Sequence, residues 1–150
     1  MPETSLNLLS IYRNYKLIPL CLCAAVVIDY SLTFYLAGSI EAILKYEFSP
    51  TLLYAVRHNI VLPYLGAMIL FYYVAGYFVL SMLVDSEIYF MGVAIVLLIS
   101  ITHVLGGLSW YVRNTWYSNT VLSLAMISVL ITLTAFGYEI LSEAHGKNSS

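Results

Sequence analysis

The chain has 150 residues, of which 61% are hydrophobic and only 9% charged, whereas a soluble domain carries about 25% charged residues. That composition excludes an ordinary soluble globule and points to a bilayer as solvent. Six basic and eight acidic residues leave a net charge of -2 with no run of either sign, so the chain has no electrostatic footprint for nucleic acid, and DNA and RNA are set aside as partners.

Residues 5–16 alternate Leu6, Leu8, Leu9, Ile11, Tyr12 and Tyr15 with Asn7, Ser10, Arg13 and Asn14, a pattern that predicts a short interfacial helix. The first apolar run, 17–40, is long enough to span a membrane. Within it Cys21 and Cys23 point about 200° apart on a helix, so they cannot pair with each other and read as packing residues. In the connection 41–59, Ser49 suits an N-cap and Pro50 the first helical position, which predicts a helix from Pro50 with Leu52, Leu53 and Val56 on its apolar face.

The second run, 60–84, carries Pro63, expected to bend the helix near its start, and an aromatic group of Tyr72, Tyr73, Tyr77 and Phe78 that reads as core. A very short turn at 85–87 predicts that the second and third spans are antiparallel neighbours. The third run, 88–108, holds His103 as its only ionisable group. Trp110, Tyr111, Trp116 and Tyr117 in the connection 109–120 predict a segment at the headgroup level. The fourth run is 121–141, with Glu139 near its end.

Together these predict an all-α, single-domain integral membrane bundle of four transmembrane helices over residues 1–150, with short interfacial helices. Localisation is multi-pass membrane with both termini on one face. The basic residues divide evenly between the two faces, and Arg13 and Lys16 immediately before the first span favour cytoplasmic termini.

Asp29 is the one acid in the middle of a span. A carboxylate at that depth costs roughly 3 kcal/mol on insertion scales, so it is expected to face a partner, water or the bundle interior. Thr33, one turn away, is expected to offer its hydroxyl to the carboxylate. If the first and third spans run in the same direction, Asp29 and His103 lie roughly 18 and 22 Å deep, less than one helical turn apart. The pair is therefore the predicted intramembrane polar contact. Ser100, Gly106 and Gly107 give the third span a small-residue face for close helix packing.

No catalytic residue, metal set or cofactor is expected. His58 and His145 fall outside the spans, so two intramembrane histidines are not available for haem. The Gly107-Leu108-Ser109 string lacks the glycine context and second histidine of an intramembrane serine protease.

Asp29, Thr33 and Gly38, followed by Glu47-Phe48-Ser49-Pro50, resemble a family of small archaeal and bacterial membrane proteins of unknown function. In that family an Asp-x-x-x-Thr on the first helix precedes a Glu-x-Asn-Pro element, here with Ser49 in place of the Asn. The resemblance covers roughly residues 17–84 and implies a four-span membrane protein without an assigned activity. Four spans with a first-helix carboxylate also resemble the small multidrug transporters in outline, with an aspartate for their glutamate and a longer chain.

Two functions follow as expectations. One is a non-enzymatic accessory or assembly subunit, partnered by the lipid bilayer and by other membrane proteins or by itself, with Asp29 and His103 fixing helix register. The other is a small proton-coupled transporter with Asp29 as carrier. A water-reachable cavity at Asp29 separates the second from the first.

Overall fold

The computed structural model describes residues 12–146, so most of the expected interfacial helix over 5–16 lies outside the described residues. The described residues form six helices and no strand: α1 Ile18–Ala37, α2 Ile40–Tyr46, α3 Pro50–Arg57, α4 Val61–Leu83, α5 Tyr89–Val112 and α6 Thr115–Gly146. Four stretches are long and apolar enough to cross a membrane: Ile18–Ala37, Val61–Leu83, Tyr89–Val112 and Thr115–Ala135. The chain is a multi-pass membrane protein built as an all-α bundle.

Local signals explain the boundaries. Gly38, at φ +75°, takes the left-handed conformation that closes α1, and Ser39 at once restarts the chain as α2 by accepting the Ala42 N–H at 3.2 Å. Ser49 caps α3 as expected, accepting the Leu52 N–H at 3.3 Å. α3 ends in a Schellman motif: Asn59 is left-handed at φ 56°, Ile60 N–H reaches Ala55 O, and Asn59 N–H reaches Val56 O.

Two expectations change. Pro63 falls in the first turn of α4, where no backbone N–H partner is spent, so it helps to start the helix and does not kink its interior. The expected loop at 109–120 shrinks to Arg113 and Asn114. Arg113 ends α5 in a left-handed conformation, and Asn114 Oδ1 accepts the Trp116 N–H at 2.8 Å. Trp110 and Tyr111 thus belong to the last turn of α5, and Trp116 and Tyr117 to the first turn of α6.

The helices pack in the order α4, α1, α5, α6. α1 and α5 make by far the largest interface; α4 lies mainly on α1, and α6 mainly on α5. α4 and α5 are antiparallel and in contact, as the short turn predicts, but theirs is the lesser contact. A core of Leu22, Val26, Leu80, Leu83, Val93 and Val96 fills the end of the bundle where α1 begins. The Tyr89 hydroxyl ties that end further by donating to Tyr12 O at 2.9 Å. At the other end, α3 packs on α2 and α4, and α2 borders a cavity shared with the α5–α6 turn.

The α1–α5 interface is close because of Gly107. A Cβ there would stand 2.9 Å from both Cα and O of Asp29 and 3.0 Å from Leu32 Cβ, so the two backbones touch where any side chain would hold them apart.

Gly107→Ala is expected to destabilise the protein by about 1–3 kcal/mol, because the obstructing atoms are backbone and cannot rotate away. Gly66 of α4 has nothing within 4 Å of its Cβ position, and Gly66→Ala is expected to be neutral or stabilising by about 0.5–1 kcal/mol through helix propensity alone. Unfolding both variants in mixed detergent micelles checks the contrast.

Candidate functional site

The Gly107 contact brings together the ionisable groups of α1 and α5. His103, one turn before Gly107, donates its Nδ1–H to Asp29 Oδ2 at 2.8 Å. Counted back from the ends of α1 and α5 at 1.5 Å per residue, Asp29 and His103 lie at about 12 and 14 Å, so the two helices are level at the site. With Nδ1 engaged by the carboxylate, the imidazole keeps Nε2 as its second proton-exchanging atom. Tyr72 of α4 packs edge-on against the imidazole, with ring centroids 5.0 Å apart.

The other expected residues take different places. Thr33 is buried and faces the same cavity as Asp29, but among the described residues the carboxylate's hydrogen bond goes to His103 and not to Thr33. Helical side chains lean toward the N-terminus, so Asp29 leans away from Thr33, which lies one turn beyond it. Gly106 faces the carboxylate itself, its Cβ position 3.6 Å from Oδ1, leaving room at the polar site where Gly107 serves backbone packing. Ser100 bonds to its own helix at Val96 O, 2.7 Å away. It lines a separate groove with Cys21 and Ala25. Cys21 is exposed and Cys23 buried, facing apart as expected. Of the tyrosines near Asp29 in sequence, Tyr30 bonds to the Tyr64 hydroxyl at 2.9 Å, and Tyr35 is 83% exposed on the outer face.

Asp29 and His103 are not sealed in. Their side chains keep 19% and 18% of their exposure, and both line a cavity of about 800 Å³. It lies between α1 and α6, which both flank α5 and scarcely touch each other. Its walls come from α1, α2, α4, α5 and α6, and it runs from the pair to Trp110, Arg113 and Asn114 at the α5–α6 turn. α6 supplies a stripe of small and polar residues, Ser118, Ala125 and Ser128, and is braced on α5 by the Tyr117 hydroxyl donating to Leu105 O at 3.0 Å.

Two charged residues of this cavity escaped the sequence reading as site residues. Arg113 donates from Nε to Trp110 O at 3.0 Å and from Nη2 to Leu36 O at 3.1 Å, placing its cation on the carbonyl ends of α5 and α1. Glu47, at the end of α2, lines the cavity half-buried. Burial pushes its carboxyl above the ordinary carboxylate range, and the charge of Asp29 adds to this, while the Ser49 N–H, donating to Oε1 at 2.8 Å, acts in the opposite sense. Both acids that carry the sequence resemblance, Asp29 and Glu47, therefore reach one cavity. Among the described residues no three His, Cys, Asp or Glu side chains gather closely enough to hold a metal ion.

The chain matches no protein family, no curated protein and no solved structure.

The Asp29–His103 bond is expected to give a coupling energy of about 1 kcal/mol in a double-mutant cycle of Asp29→Ala and His103→Ala, unfolded in mixed micelles. Strict additivity of the two variants would show that the side chains act independently.

Proposed function

We propose that the protein is a small proton-coupled transporter in which the Asp29–His103 pair exchanges protons with the cavity and the cavity holds the solute. The observation that carries this reading is the cavity of about 800 Å³ at the pair. A hydrogen bond kept only to fix helix register works best dry, and an accessory subunit, the other expectation, needs no cavity at Asp29. The volume lies within the range of small-molecule sites, roughly 300–1,000 Å³, and polar groups converge on an otherwise apolar lining, as such sites require. Intramembrane acids and histidines facing water-filled space commonly mark proton paths.

The proton step needs only this chain's atoms. Asp29 holds the Nδ1–H of His103, and Nε2 is the atom that takes or gives the proton on the cavity side. Protonating the imidazole makes the contact an ion pair; deprotonating it leaves the carboxylate charge facing the cavity. Solute binding and proton binding thus act on one charge balance, which is the requirement for coupling.

Transport also requires that the site be reached from both faces in turn, and this is testable without knowing the solute. Ala125, small and only half-buried in the cavity wall, takes a cysteine in a Cys21→Ala, Cys23→Ala background. A membrane-impermeant methanethiosulfonate is expected to label Ala125→Cys from both faces of oriented vesicles. Adding Asp29→Asn is expected to leave the protein monodisperse in detergent gel filtration and to shift the ratio of the two labelling rates by about tenfold, equivalent to ~1.4 kcal/mol. Labelling from one face only, or loss of assembly in Asp29→Asn, overturns the transporter.

A further inference from the structure

The segment joining α2 to α3 borders the cavity. Tyr46, Glu47 and Phe48 all line it. The helices on either side are anchored: Ile43 of α2 and Leu52 of α3 keep 1% and 2% of their exposure. α3 is tied down further by a row of hydroxyls. Ser49 Oγ lies 3.1 Å from Thr51 Oγ1, Thr51 Oγ1 lies 2.9 Å from Tyr64 OH, and Tyr64 OH lies 2.9 Å from Tyr30 OH. Between the anchors the chain leaves helical geometry, with Glu47 extended at φ -72°, ψ 135°. Tyr46 and Phe48 are 59% and 72% exposed, so the inward hold of the elbow falls on Glu47, which lies beside the Trp110 indole of α5.

We propose that this elbow, residues 46–48, is a proton-controlled gate on the cavity, with Glu47 as its latch: closed when the carboxyl is protonated, open when it is ionised. The groups that face Glu47 across the cavity set the sign. α1 presents Asp29, α4 presents Tyr72, and α5 presents His103 and Arg113, while among the described residues those of α6 that line the cavity are uncharged. The Asp29 carboxylate repels an ionised Glu47. Arg113 gives two of its donors to Trp110 O and Leu36 O, so part of its capacity is already committed to backbone carbonyls. An ionised Glu47 also loses hydration in its half-buried position, and turning the elbow outward restores that hydration and increases its distance from Asp29.

The direction of the Glu47 titration agrees. Burial raises its carboxyl against the opposing effect of the Ser49 N–H and the Trp110 indole, which favour the ionised form without cancelling the rise, so the closed state gains most below the ordinary carboxylate range and loses that gain as pH rises through the raised value. The gate rests on the solute-cavity reading given above, but its test does not depend on transport.

In the Ala125→Cys protein the labelling rate from the α2–α3 face is measured with and without Glu47→Gln at each pH, so that ionisation of the thiol cancels in the ratio. The rate with Glu47 intact, divided by the rate with Glu47→Gln, is expected to rise from about 1 near pH 5 to about 10 near pH 9, equivalent to ~1.4 kcal/mol. A ratio constant with pH overturns the gate. Should Glu47→Gln fail to fold, the emission of Trp110 in a Trp116→Phe protein decides: a red shift between those pH values supports opening beside Glu47, and an unchanged spectrum overturns it. A pH-dependent ratio combined with labelling from one face only keeps the gate and removes the transporter.

Discussion

The close approach of α1 and α5 at Gly107 governs the rest of the bundle. In lipid no hydrophobic force draws helices together, because the acyl chains are as apolar as leucine side chains; association depends on packing at short range and on polar contacts. Gly107 supplies the first by admitting the Asp29 backbone to 2.9 Å from its own Cβ position. His103, one turn earlier, supplies the second with its 2.8 Å bond to Asp29. Each depends on the other. Without the glycine the helices stand too far apart for the imidazole to reach the carboxylate, and without the imidazole the helices bring an unpaired charge into their interface.

This geometry also creates the cavity. Gly106, the neighbour of Gly107, leaves open space beside the carboxylate, where its own Cβ position is 3.6 Å from Oδ1. α6 attaches to α5 and scarcely to α1, so the flank of α5 between them is a cleft whose floor is the polar pair. Partial solvation through the cleft lowers the cost of the buried carboxylate, while the helix contact restricts how the pair can move. On the transporter reading, packing and proton exchange are two uses of this one arrangement.

Much of this was legible in the residues because membrane helices carry strong one-dimensional signals. Run length gave four spans and the all-α bundle, Ser49-Pro50 gave the start of α3, and counting depth along two parallel spans set Asp29 opposite His103. Features that depend on the direction of a side chain or on a cap were harder to read. Thr33 has the right spacing for Asp29 but lies on the side from which the carboxylate leans away. The connection at 109–120 looked like a loop because its aromatics belong at an interface; the cap at Asn114 shows that those rings sit on helix ends. Glu47 was hidden for a different reason. It lies in a polar connection where an acid is unremarkable, and only the turn at Gly38 and the path of α2 bring it over the cavity. The signal on α6 was present as Ser118, Ala125 and Ser128 at helical spacing, yet it gains meaning only once the facing helices are known.

On the transporter reading, the two ends of the molecule are unequal in a way that bears on which parts can move. The cavity is bordered by α2, the residues that follow it and the α5–α6 turn, whereas the opposite end is filled by Leu22, Val26, Leu80, Leu83, Val93 and Val96 and fastened by the Tyr89–Tyr12 bond. Access from that closed end requires this core to part. The α1–α5 contact cannot open there without lifting Asp29 from Gly107, which would break the proton site during its own cycle. α4 and α6 are the elements held by smaller interfaces, and local opening is drawn from the parts of a fold with fewest buried contacts. The α1–α5 pair is then the fixed frame, with the flanking helices and the elbow at residues 46–48 moving around it. In such an arrangement the proton site keeps its geometry while the access to it changes.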